Sequence, residues 1–181
     1  VELSDVEIPE DFEIMTALEV GMRALVLFGI YLRSCTVTPR KEIVQWFENN
    51  DLWRLLSPNE MEFMKAETVT KQQLINFSWH VERLHVLSWA LGISSELLSP
   101  IDQWTANEFE RALLPLNAHT AKRFISSVKL RDESEIFSVA EEIENYNWQA
   151  RNVDIRGGDT EVPVDREITQ ERHHAINWIL W

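Results

Sequence analysis

Residues 77–91 read FSWHVERLHVLSWAL, and a helix drawn through them has apolar bulk on nearly every side. At about 100° per residue, Phe77, Val81, Leu84, Leu87 and Leu91 share one face, while Trp79, Val86 and Trp89 cover much of the other. Such a helix is stable only in the middle of a domain, where other elements cover it all round. Glu82 falls within the arc of Trp79, Val86 and Trp89. A lone carboxylate there costs several kcal/mol or takes up a proton. A cation or several donors must therefore be brought to it from elsewhere in the chain.

The segments that wrap this helix also read as helices. Over residues 11–34, Ile14, Leu18, Gly21, Leu25, Phe28 and Leu32 recur at helical spacing. Thr38 is expected to cap a second helix with Pro39 at its first position and Ile43, Trp46 and Phe47 on its apolar face. Ser57-Pro58-Asn59-Glu60, Thr70-Lys71-Gln72-Gln73 and Thr105-Ala106-Asn107-Glu108 have the form of capping boxes. The second box opens the central helix, which runs to Leu91 and stops at Gly92; the third opens a helix ending near Pro115. Residues 118–129, 132–151 and 166–181 are further helices, whereas Arg156-Gly157-Gly158-Asp159 signals a turn and Val162-Pro163-Val164 an extended stretch. Only 5 Gly and 6 Pro occur in 181 residues, which favours long helices over many short strands. The expected fold is all-α, a single-domain irregular bundle of about seven helices over residues 1–181. One irregular loop lies near residues 154–165, and residues 1–10 are a flexible acidic N-terminus.

Charge narrows the function classes. The net charge is −13, so nucleic acid and anionic membrane surfaces are disfavoured partners. The longest apolar run, residues 24–32, is bracketed by Arg23 and Arg33 and is too short to span a bilayer. Lys122, Arg123 and Lys129 form a stretch without acids, read as a solvated helix face with an anion or partner site as the alternative. Cys35 is the only cysteine, which points to a reducing compartment, and no signal peptide is visible, so the expected location is cytoplasmic. Cys35 is expected to be a half-buried thiol rather than a nucleophile.

The last helix offers the cation that Glu82 needs. Ile168, Ala175, Ile176 and Ile179 form its stripe, and Arg172 lies in the middle of it. An Arg there must snorkel out or meet an acid inside. Arg131 and Glu135, four residues apart beside Val139 and Tyr146, offer another pair. The expectation is one polar cluster within the core: Glu82, Arg131, Glu135 and Arg172, with His173 or Asn177 near its rim. Such a cluster either fixes helix register or forms a pocket whose carboxylate acts as a base while Arg172 holds an anionic group.

Other constellations carry less. Glu82 with His85 and Glu171 with His174 are Glu-x-x-His pairs of the kind found in dinuclear bundles. No metal is expected; the alternative is a site of Glu82, His85 and Glu135. His80 and His85 lie on diverging faces, and adjacent His173 and His174 cannot both face one ion. No cofactor fingerprint or nucleophile elbow occurs. Eight Trp are expected mainly in the core, with Trp53 and Trp104 the best placed for exposed contacts. If Trp178 and Trp181 are both exposed, they would suggest a partner surface or a missing C-terminal segment.

Residues 79–92, from Trp79-His80-Val81-Glu82-Arg83 to Trp89-Ala90-Leu91-Gly92, resemble the central signature of the domain-of-unknown-function family 4272. Leu130-Arg131 with Glu135-Ile136, then Trp148-Gln149-Ala150, resembles its next segment. Glu171-Arg172-His173-His174-Ala175-Ile176-Asn177-Trp178 resembles its C-terminal signature, the most specific of the three. The sequence departs from the pattern at His80, where the family carries Arg, and over residues 142–147, where the family is more aromatic. The resemblance implies an α-helical bacterial domain, cytosolic, with no established activity and hence an unknown function. From the residues themselves two readings stand. One is a non-enzymatic interaction or regulatory domain with a protein partner. The other is an enzyme or binder of a small anionic ligand using Glu82, Glu135 and Arg172. The absence of any catalytic motif favours the first.

Overall fold

Reciprocal capping decides where the first helix begins. Thr16 Oγ1 accepts the Glu19 amide at 3.3 Å, and the Glu19 carboxylate accepts the Thr16 amide at 2.8 Å. Helix α1 (Ala17–Cys35) therefore starts later than residue 11 and ends at Thr36, which turns into the left-handed region at φ 57°. The computed structural model describes residues 13–157, 159–160 and 162–180; the expectations for residues 1–10 and for Trp181 lie outside these.

Helix α2 (Arg40–Asn49) starts at Pro39 without a side-chain cap, so Thr38 does not play the part expected of it. A 3-10 turn (Trp53–Leu55) leads to α3 (Pro58–Lys65), where Ser57 and Glu60 cap each other as predicted. Thr70 and Gln73 do the same for α4 (Lys71–Ser78). The single helix expected over 71–91 is interrupted at Trp79, because the Glu82 amide bonds the Trp79 carbonyl three residues back rather than four. Helix α5 (His80–Ala90) continues from there and stops at Gly92, whose φ of +69° suits glycine.

Helix α6 (Asn107–Leu113) follows a long irregular segment; the box expected at 105–108 is absent, with Ala106 at the cap position and no side-chain bond. Asn117 caps α7 (Ala118–Ser127), accepting the Thr120 amide at 2.9 Å. Helix α8 (Glu133–Arg156) continues beyond residue 151 to the Gly157 turn, further than its pattern suggested. Asp165 caps α9 (Arg166–Ile179). The described residues are helical with irregular connections and contain no strand, including Val162 to Val164.

The helices stack in the order α8, α9, α5, α1, with α2, α3, α4 and α7 packed around α1. The centre is thus shared between α5 and α1, whose residues 24–30 are all buried. Phe28, Trp46, Phe47, Phe63 and Phe109 are the largest side chains buried in the core. Helix α2 comes so close to α1 that a Cβ on Gly29 would lie 2.1 Å from the Phe47 ring. Three residues depart from expectation: Trp104 is buried, Leu18 is exposed, and Trp148 is 63% exposed. Cys35 is exposed rather than half-buried.

Candidate functional site

Helix α5 carries His80, Glu82, Arg83 and His85 within six residues, and each turns toward a different neighbour. Glu82 is fully buried. Its Oε2 accepts Arg172 Nε–H from α9 at 2.9 Å, and its Oε1 accepts the Trp104 amide at 2.7 Å. Burial pushes the Glu82 carboxyl up, but His85, the Arg172 guanidinium and the Trp104 amide outweigh it and hold it below its usual range. His85 Nδ1 lies 3.8 Å from Glu82 Oε2, longer than an ordinary hydrogen bond.

Arg172 does more than neutralise Glu82. Its Nη1 donates to the carbonyls of Leu98 at 2.6 Å and Ser99 at 3.3 Å, and its Nη2 to that of Asp102 at 3.1 Å. Beside this pair, Arg83 donates through Nε and Nη2 to the two oxygens of Glu171. Adjacent Glu82 and Arg83 therefore face adjacent Arg172 and Glu171 with the charges interchanged. Behind Glu82, the fully buried His85 stacks on Trp104 with centroids 4.9 Å apart and planes 4° apart. Neither of its ring nitrogens has a hydrogen-bond partner.

Arg131 and Glu135 do pair, at 2.7 Å, but on the outside of α8 rather than beside Glu82. Arg131 Nε donates to the Trp89 carbonyl, its Nη2 donates to Ser94 and Ser95, and its guanidinium lies 5.0 Å from the Trp89 ring centroid. The cluster expected as one is therefore two. Both arginines hold carbonyls of the irregular segment between α5 and α6, which has no helix to satisfy them. His173 and Asn177 pair with each other at 3.1 Å on the outer side of α9 and belong to neither group. Burial lowers His173, with Glu144 opposing. Because Glu135 stands apart, Glu82, His85 and Glu135 do not assemble a metal site. Among the described residues no three His, Cys, Asp or Glu are placed around one ion.

A third buried charge group was not anticipated. Glu60, 2% exposed, receives Arg23 Nη1 and Nη2 at 2.9 and 2.6 Å and the Ser57 amide at 2.9 Å. Burial pushes its carboxyl up, but Arg23 prevails and holds it at about 2. His80 Nδ1 lies 3.8 Å from Glu60 Oε1. Burial first and Arg83 second lower the His80 imidazole to about 3, so it is neutral. From the sequence, Glu60 reads only as a capping residue and Arg23 only as the end of an apolar run. The signal was present: Glu60 falls on the same side of α3 as Phe63 and Met64, which are buried.

Two hollows bear on function. A cleft of about 120 Å³ lies against Arg172, lined also by Thr169, Glu142, Tyr146, Leu97 and Ile143. Tyr146 donates to Glu142 at 2.7 Å beside it, and this bond raises the phenol above its usual range. A larger apolar groove of about 740 Å³ runs between the start of α1 and the 3-10 turn, bounded by Met15, Leu18, Met22, Leu55, Leu56 and Trp178. Trp178 is half-buried there. No described helix is long and apolar enough to cross a membrane.

No curated protein and no solved structure matches the chain. The inward-facing charges of α5 and α9 do coincide with the signatures at 79–92 and 171–178, and a family profile matches residues 1–181. The chain belongs to the family described as domain of unknown function (DUF4272).

Proposed function

We propose that the chain is a non-enzymatic interaction domain and that its signature charges build the fold rather than perform chemistry. The observation carrying this reading is the way Arg172 is used. All three guanidinium nitrogens are engaged by Glu82 and by the carbonyls of Leu98, Ser99 and Asp102. These bonds use four of its five N–H groups, so an anionic substrate would meet a single free N–H or have to displace them. The net charge of −13 favours basic protein surfaces over nucleic acid. The single thiol, Cys35, suits a reducing compartment such as the cytoplasm.

The cleft beside Arg172 favours a second reading, a small-anion site. Its volume of about 120 Å³ argues against that, because pockets for small organic ligands span roughly 300–1,000 Å³. A thermal-shift series tests both readings with inorganic phosphate, acetate and citrate as probes. The interaction reading expects no change in Tm with any of them. A saturable rise in wild type that Arg172→Lys abolishes would overturn it, since ligand at 100 times its Kd adds about 2.7 kcal/mol.

A further inference from the structure

Helix α8 meets the bundle along one side only. Ile136, Ile143, Asn147 and Ala150 are buried, and the main neighbour is α9. About 120° round the helix from them, Glu141, Glu144, Trp148 and Ile155 fall within about 40° of one line at about 100° per residue. At about 1.5 Å per residue the strip is about 21 Å long. Trp148 is 63% and Ile155 74% exposed, and Glu141 and Glu144 are also exposed. Two large apolar side chains thus share one exposed side of the helix, and Trp is among the residues most enriched in binding hot spots. The electrostatics select the partner. Residues 133–150 hold five glutamates and no Lys or Arg, with the exposed Arg151 following beside the strip, within a chain already at −13.

We propose that this outer face of α8 docks a basic amphipathic helix of a partner protein. Trp148 and Ile155 enter its apolar stripe, and Glu141 and Glu144 pair with its Lys or Arg. The strip accommodates about four turns of such a helix, and the acidic end of α8 fixes its direction. This inference rests on the interaction reading above and names its surface.

The test uses the full chain and a fluorescein-labelled 18-residue peptide of Leu and Lys in helical heptad order, with a Leu and Glu peptide as control. Fluorescence anisotropy is expected to show binding of the Lys peptide alone, weakening as salt rises. Trp148→Ala and the double charge reversal Glu141→Lys, Glu144→Lys are each expected to weaken it tenfold or more. Glu62→Lys with Glu67→Lys makes the same change in net charge away from α8 and is expected to alter binding less than threefold. All these positions except Trp148 are exposed acids, and circular dichroism checks that each variant is folded. Failure of the Lys peptide to bind, equal losses in the two reversed pairs, or full binding by Trp148→Ala would each overturn the proposal. Such a failure with Tm unmoved by the anions leaves the interaction reading standing. A saturable anion shift removes that reading itself.

Discussion

Glu82→Gln removes one charge from a place that water does not reach. The carboxylate takes two donors on two oxygens, Arg172 Nε–H and the Trp104 amide. Glutamine has one oxygen, so it can keep one of these and must set its NH2 against the other donor. A hydrogen bond to a charged group contributes about 1.5–3 kcal/mol, and the guanidinium left behind is only 4% exposed. Removing one member of a buried pair costs about 3–5 kcal/mol. Arg172 keeps the carbonyls of Leu98, Ser99 and Asp102, which places the expected cost near the lower end, about 3 kcal/mol. Urea unfolding followed by tryptophan fluorescence reads this as a midpoint lower by about 1–2 M, taking a slope of about 2 kcal/mol per M. Replacing both partners, as Glu82→Leu with Arg172→Met, is expected to be less costly than the sum of the single losses by about 2 kcal/mol. A Glu82→Gln midpoint indistinguishable from wild type would refute the idea that this pair organises the interior.

Acid is expected to weaken the fold in two steps. His80 is lowered from 6.5 to about 3, so only the unfolded ring takes up a proton as pH falls below about 6.5. Glu60 is lowered from 4.5 to about 2, so its contribution is complete above about pH 4.5 and is lost as pH falls toward 2. Between pH 6.5 and 4.5 the His80 contribution is a loss on the order of 2–3 kcal/mol. Urea midpoints of wild type and His80→Phe across that range are expected to diverge in slope; parallel curves would count against a buried neutral imidazole. Gly29→Ala sets a Cβ 2.1 Å from Phe47 Cε2, in a ring held by Trp46 and Trp53. It is expected to cost about 1–3 kcal/mol or more. Gly21→Ala meets the end of the Ile125 side chain at 3.1 Å and is expected to cost less. Equal thermal shifts for the two would contradict this account.

The most legible part of the site was the residue at odds with its surroundings. Glu82 and Arg172 both lie on apolar stripes, and two charges in such positions have few ways to coexist except by meeting. Arg131 and Glu135 were legible as a pair because four residues along a helix bring side chains together. What the pattern could not supply was the irregular segment between α5 and α6, whose carbonyls draw Arg131 away from Glu82. The same segment buries Trp104, which its position near a helix end had suggested was exposed. Arg23 and Glu60 escaped notice because each has a sufficient local explanation, and burial depends on how α3 lies against α1. Helix existence was read well from capping and spacing, whereas the break at Trp79 moves the Trp79 and Glu82 amides to nearer carbonyls and leaves the apolar pattern untouched.

The interchanged charges of α5 and α9 invite a test of what each pair is for. If only mutual attraction mattered, reversing either pair would preserve the fold. The surroundings of the two pairs differ. Glu171 and Arg83 are half-buried at 14% and 24% side-chain exposure, and they make a two-pronged contact with each other. Arg83→Glu with Glu171→Arg keeps the attraction, and partly exposed pairs are worth about 1 kcal/mol or less. That reversal is expected to change stability by no more than about 1 kcal/mol. Glu82→Arg with Arg172→Glu would set a guanidinium against the Trp104 amide and a carboxylate against the carbonyls of Leu98, Ser99 and Asp102. Donor then faces donor and acceptor faces acceptor around two largely buried side chains, so this reversal is expected to prevent folding. Soluble yield and urea midpoints of the two double variants decide the matter. Similar losses in both would mean that the loop contacts are incidental; a large loss confined to the 82 and 172 reversal would mean that Arg172 is placed for the loop as much as for Glu82.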